Sequence, residues 1–337
     1  MTQTLVRLLP LLLLAPLAFA DELKPIAGVF AAEPVPNSPT MTASGLAWWD
    51  GKLIVADRVP KLYRAHTPPD GWAEFKQVTH PVGAAAHPDG SLIISEKQPD
   101  GLHRIAKIAK DGKDVSLAES KVGFPKGTKG GVGSPHFVAC HPNGTIYWSG
   151  FPDAGTRYLL PGTTEVLQGE PRIVHTYGLG LSPDHRWLYV ASKIPNPDQR
   201  GVWRYPVDDA GKLGQGEPFI LIGKFTTTHL KDLPPAADNS PSLTGWIGRC
   251  QGLTVDRLGY VYVGGAESHH SGAAVAVFTP DGKALAAMIT GVPRNISGLA
   301  FGAADGKTLY VTGAGEYKLH QVKLPVPGEV FRAPEAK

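Results

Sequence analysis

One hairpin is written six times along this chain, and an internal repeat of that kind leaves few folds open. The copies are SGLAWWDGKLIVAD (44–57), VGAAAHPDGSLIISE (82–96), PHFVACHPNGTIYWSG (135–150), YGLGLSPDHRWLYVAS (177–192), QGLTVDRLGYVYVGG (251–265) and SGLAFGAADGKTLYVTG (297–313). Each runs from a small or polar residue through Gly and a short apolar stretch to a turn, then to a β-rich stretch. The third departs, with His136 where the others carry Gly. Five of the six turns hold D-G, N-G or L-G, whose glycine accepts positive φ. The second stretches (LIVA, LIIS, TIYW, WLYV, YVYV, TLYV) are β-branched and aromatic, as strands prefer. More strand-like pieces follow: KLYRAH (61–66), GLHRIAKI (101–108), GVWRYPV (201–207), AAVAVFTPDG (273–282) and YKLHQVKL (317–324).

Each unit thus reads as about four strands. Four antiparallel strands repeated six times predict an all-β, six-bladed β-propeller, one domain over residues 21–337. A sandwich also has many short strands, but not six copies of one hairpin. Gly and Ala on the first strand fit an inner position, where strands converge on a central channel. The segment PIAGVFAA (25–32) is predicted to join the last blade and close the ring. Composition agrees: Gly 40, Pro 31 and only 19% charged residues describe turns and short strands, not amphipathic helices.

Residues 1–20 read as a secretory signal peptide. Arg7 precedes the apolar run Leu8–Phe19, and Ala18-Phe19-Ala20 offers a cleavage site after Ala20. The run is too short for a spanning helix, so no membrane insertion is expected after cleavage. The mature protein is expected in a periplasm or outside the cell, as a monomer with a small-molecule ligand. A net charge of +3 is too weak to imply nucleic acid. Export makes a disulfide between Cys140 and Cys250 chemically possible. They fall in non-adjacent blades, and the simpler expectation is two small buried hydrophobes.

Propeller geometry also places a site. The start of a hairpin's first strand lies beside the end of its second. Ser44, Val82, His136, Tyr177, Gln251 and Ser297 should therefore ring the channel mouth. The second strands end there too, bringing Asp57, Arg58, Glu96, Lys97, Lys193, Glu267, His269, His270 and Glu316 to the same face. A concave mouth with convergent polar groups is the expected site. His141 sits in a turn on the opposite face and is expected in solvent. The stretch 123–134 lacks the order of a phosphate-binding loop and reads as a flexible loop feeding His136, with Lys126 or Lys129 able to reach an anionic ligand. The long Pro-rich stretch 228–250 reads as a lid over the mouth with Trp246 as an apolar wall, or else as a solvated insertion. Neither G-x-S-x-G nor H-E-x-x-H occurs.

The segments at 135–150, 177–192, 251–265 and 297–313 resemble sugar lactonases of the gluconolactonase, senescence-marker-protein and luciferin-regenerating superfamily. The resemblance implies a six-bladed propeller with a divalent cation, often calcium, at the channel mouth. It implies a Glu, an Asn and an Asp as ligands and a further Asn on the substrate. The matching positions here are Ser44 for the Glu, Tyr177 for the ligand Asn, Gln251 for the Asp and His136 for the substrate Asn. All four differ. Calcium gains from carboxylate charge, and both carboxylates are gone, so calcium is not expected at this position.

Two readings stay open. One is a lactonase- or esterase-like hydrolase of a small cyclic ester or sugar lactone with a rebuilt site. There His136 acts as general base, Lys193 or Arg58 stabilises negative charge, and Ser44, Tyr177, Gln251 and Trp246 contact substrate. Alternatively, His136 with Glu267, His269 or His270 holds a divalent transition metal such as zinc or copper. The other reading is a non-catalytic periplasmic ligand-binding or interaction propeller.

Overall fold

Each of the six sequence repeats is a β-hairpin whose second strand is buried on both faces. In the first repeat Leu53 and Val55 face one neighbour's core while Ile54 and Ala56 face the other's. Side chains alternate along a strand, so a strand packed between two sheets needs an apolar run and not an apolar/polar alternation. That is why LIVA, LIIS and WLYV have no polar face. The computed structural model describes residues 23–98, 100–121, 132–150, 155–171, 173, 175–192, 200–234, 241–266 and 273–329.

Among the described residues the strands form six sheets, the blades of a propeller. The innermost strands, in blade order, are Ala43–Trp49, His80–Ala86, Pro135–Cys140, Thr176–Leu181, Arg249–Val255 and Ile296–Gly302. Each contacts the next, and the sixth contacts the first. Six hydrophobic clusters alternate with the blades, each filling the gap between two neighbours. A ring of this kind leaves no blade face open to water.

The ring closes differently from the sequence expectation. Residues 25–32 do not join the last blade: Gly28–Ala31 pairs in parallel with Leu285–Thr290 at the edge of the fifth. The two residues Glu33–Pro34 supply the outer strand of the sixth blade, antiparallel to His320–Lys323. The proline suits an edge strand, where a missing N–H costs no ladder bond.

Every inner strand carries a one-residue register shift near its start. The shifts fall between Ala43 and Leu46, Pro81 and Gly83, Pro135 and Val138, Thr176 and Leu179, Cys250 and Leu253, and Ile296 and Gly298. A bulge leaves an extra residue unpaired and re-aims its side chain. The following glycine is needed because adjacent inner strands nearly touch. A Cβ on Gly45 would lie 2.6 Å from Gly83 Cα, and one on Gly83 would overlap the His136 carbonyl oxygen. In the third blade Phe137, not His136, takes the glycine's place, and His136 is the extra residue. Gly83→Ala is expected to destabilise the protein by about 1–3 kcal/mol, the usual cost of overpacking against backbone that cannot retreat. Urea unfolding midpoints of the two proteins check it.

Cys140 and Cys250 are free and buried in different clusters. Burial pushes both thiols up, Cys250 to about 12. His141 lies on the opposite face as anticipated but is buried, not solvated. Its ring meets that of His185 edge-on at 5.6 Å, and Nδ1 accepts from the Asn143 N–H at 3.2 Å. The reason is the C-terminal segment crossing this end: Gly328 bridges to Asp256, and Glu329 pairs with His185 at 2.8 Å. Residues 1–20 and the loop residues Lys126 and Lys129 lie outside the described residues.

Candidate functional site

The six bulges build the mouth. Ser44, Val82, His136, Tyr177, Gln251 and Ser297 all line one cavity of about 380 Å³ at that end of the channel. That is near the lower end of the roughly 300–1,000 Å³ typical of ligand sites. Arg58, Glu96 and Lys97 line it too, from the ends of the second strands.

Not all of the ring is available for chemistry. Ser44 donates to the Val82 carbonyl at 2.7 Å, and Ser297 donates to that of Ala43 at 2.7 Å. These hydroxyls tie neighbouring blades together. His136 is half-buried, with its ring edge-on to Tyr177 at 5.3 Å. Its carbonyl accepts from Ser95 Oγ at 2.6 Å, which fixes the bulge from the second blade.

Trp246 is elsewhere. It is buried with Leu230, Leu243 and Ile247 in the cluster between the fourth and fifth blades. The described part of 228–250 packs there through apolar side chains and not over the mouth, and none of it lines the cavity. Lys193, Glu267, His269 and His270 lie outside the described residues.

A calcium ion does not fit these residues. The ring offers hydroxyls, an amide and an imidazole but no carboxylate. The one carboxylate lining the cavity is Glu96, which is buried and paired with Arg104. Among the described residues no group of three or more His, Cys, Asp or Glu could hold a metal ion.

Two site residues escaped the sequence reading, His80 and His103. They stand on either side of Lys97 across the second blade: His80 is paired with Lys97, and Lys97 with His103. Only the strand register brings them to the mouth. A hairpin pattern fixes the first two strands, and the third strand's register is not written in it.

The electrostatics are dominated by cations. Burial lowers the pKa of His80, and Arg58, Lys97 and Lys61 lower it further. Burial likewise lowers His103, with Lys97 and His80 adding to the effect and the Gly133 backbone opposing it. Burial raises Glu96, and Arg104 opposes that rise. An imidazole held neutral in the fold stabilises it above the ordinary histidine value of about 6.5, and that contribution is lost as pH falls through the folded value. His80→Gln is therefore expected to flatten the fall in stability between roughly pH 7.5 and 5.5. Urea midpoints at the two pH values test it; an unchanged slope would mean that His80 is not held neutral.

Comparison with known proteins places this geometry. The family model for the SMP-30/gluconolactonase/LRE-like region matches residues 42–315. No curated protein matches the chain. Among solved structures, a gluconolactonase from Xanthomonas campestris is 18% identical over 91% of this chain and 99% of its own, with a TM-score of 0.62. A luciferin-regenerating enzyme is 17% identical over 89% and 97%, with a TM-score of 0.64. A calcium-binding protein, regucalcin from Agrobacterium tumefaciens, is 16% identical over 91% and 100%, with a TM-score of 0.65. At these identities the structural likeness is one of fold.

Proposed function

Because the chain belongs to the SMP-30/gluconolactonase/LRE-like family, we propose that it is a lactonase-like hydrolase of a small cyclic ester or sugar lactone that works without calcium. The observation that carries this is the composition of the mouth. Ser44 and Gln251 stand where that resemblance would place carboxylate ligands, and His136, Arg58 and Lys97 line the same cavity.

The reaction then belongs to the side chains. His136 takes a proton from water as the oxygen attacks the lactone carbonyl. Arg58 at the rim, with Lys193, stabilises the tetrahedral oxyanion. Collapse breaks the ring C–O bond, and the alkoxide receives the proton from the His136 imidazolium. The product is the open hydroxy acid, and nothing beyond water is consumed. Tyr177 orients His136 through its ring contact. On this reading residues 1–20 are an export signal, so the substrate arrives from outside the cytoplasm, and the mature protein works as a monomer.

The test is proton release on a panel of aldono- and alkyl lactones, with a chelator and without. Turnover that survives the chelator supports the proposal. Turnover restored only by calcium would contradict the reading of Ser44, Tyr177 and Gln251. Turnover that needs zinc or copper would point to His136 with Glu267, His269 or His270. No turnover on any lactone would leave a ligand-binding propeller.

A further inference from the structure

The second blade differs from its neighbours at one row. Residues directly opposite on antiparallel strands project from the same face of the sheet. The row nearest the mouth reads His80, Lys97, His103 in blade two. The same row reads Ala43, Asp57, Leu62 in blade one, Pro135, Gly150, Gly155 in blade three, and Thr176, Ser192, Gly201 in blade four. Asp57 there is held by Arg64 at 2.7 Å. Three side chains able to carry positive charge thus share one face and line one cavity.

Their surroundings do not neutralise them. Glu96, which also lines the cavity, occupies the next position on its strand, projects from the other face of the sheet, and is paired with Arg104. Asp114, which Arg104 also holds at 2.9 Å, takes Lys76 as its second partner at 2.8 Å. Neither Lys97 nor Arg58 makes an ion pair among the described residues. The exposure is graded as well: Lys97 is exposed, His80 half-buried and His103 buried. His103 Nε2 is buried without a hydrogen-bond partner. A buried polar atom in that state costs about 1–3 kcal/mol unless something bonds it.

We propose that this row is an oxyanion-recognition subsite, and that the molecule taken into the mouth carries a carboxylate held by Lys97, His80 and His103. The lactone identity of that molecule rests on the hydrolase reading above; its charge does not. The reacting carbonyl would face His136 on the third blade while the carboxylate sits against the second. The substrate class is then an acidic lactone, such as a lactone of a uronic or aldaric acid, and not a neutral aldonolactone. Arg58, on the first blade, stays at the carbonyl.

Calorimetric titration with glucuronate and with its uncharged isostere glucuronamide tests this without any turnover. Glucuronate is expected to bind the wild-type protein about tenfold more tightly, the order expected of one charge-assisted contact. Lys97→Met should bring the two ligands close to parity, and because Lys97 is exposed the variant should remain folded. Lys97→Met with His103→Gln should abolish the remaining preference. Equal affinities in the wild type, no glucuronate binding, or a preference that survives both variants would each overturn the subsite. If the preference is present but no lactone is hydrolysed, the subsite stands and the hydrolase reading falls.

Discussion

His136→Ala is expected to lower the turnover of the best lactone substrate by roughly 10²–10⁴-fold, the span that a positioned general base contributes. The loss should fall on kcat more than on KM, because the base acts in the transition state and the substrate is held by the other side chains of the mouth. The fold should persist. The contact that anchors this bulge, from Ser95 Oγ, is made to the His136 carbonyl, which the substitution keeps. A second measurement separates chemistry from shape. His136→Gln retains hydrogen bonding and bulk but cannot take a proton, so it should be as slow as the alanine variant. Its rate should also lose the rise with pH that a histidine base gives. A glutamine variant with near wild-type kcat would remove His136 from the chemistry and leave it a lining residue.

The propeller was legible because its determinants are local. Each second strand is a largely apolar run that follows a tight turn, and such runs fit only sheets covered on both faces. The ring of mouth residues was legible for the same reason, since each begins a hairpin. What escaped depends on contacts between distant segments. That Phe137, not His136, holds the glycine's place shows only in the pairing of the third hairpin, and a register is a property of two strands. His80 and His103 reach the mouth only through the register of blade two. Trp246 follows a long Pro-rich stretch that reads like a lid, but Leu230, Leu243 and Ile247 pull it into the cluster between blades four and five. Strand Gly28–Ala31 joined the fifth blade, not the sixth, because the edge of Leu285–Thr290 was open to it. His141 was expected in solvent because nothing in its own turn foretells that its ring meets that of His185, which Glu329 holds from the C-terminal segment.

The largest effect on stability should come from Arg104, whose ion pairs are made with Glu96 and Asp114 and not with a ring residue. Its guanidinium sits between Glu96 and Asp114. Asp114 also has Lys76 at 2.8 Å, so losing Arg104 leaves it one cation. Glu96 has no second ion pair among the described residues: its side chain is only 3% exposed, and Arg104 is its one ion-pair partner there, with Lys76 acting only from a distance. Removing one member of a buried pair leaves a charge without compensation and costs about 3–5 kcal/mol. Arg104→Met should therefore destabilise the protein by that order near pH 8. Glu96 already has a raised pKa, and losing the opposing cation raises it further. A carboxyl raised in the fold contributes its stability below the unfolded value and loses it as pH climbs through the folded one. The defect should thus shrink as the pH is lowered towards 5 and the carboxyl is neutralised. Glu96→Gln added to Arg104→Met should recover most of the loss at pH 8, because no charge is then left buried. Urea unfolding of the three proteins at both pH values checks each step. A pH-independent defect that Glu96→Gln does not repair would mean that Arg104 acts by packing its stem between the blades, and that the charge of Glu96 is not what it balances.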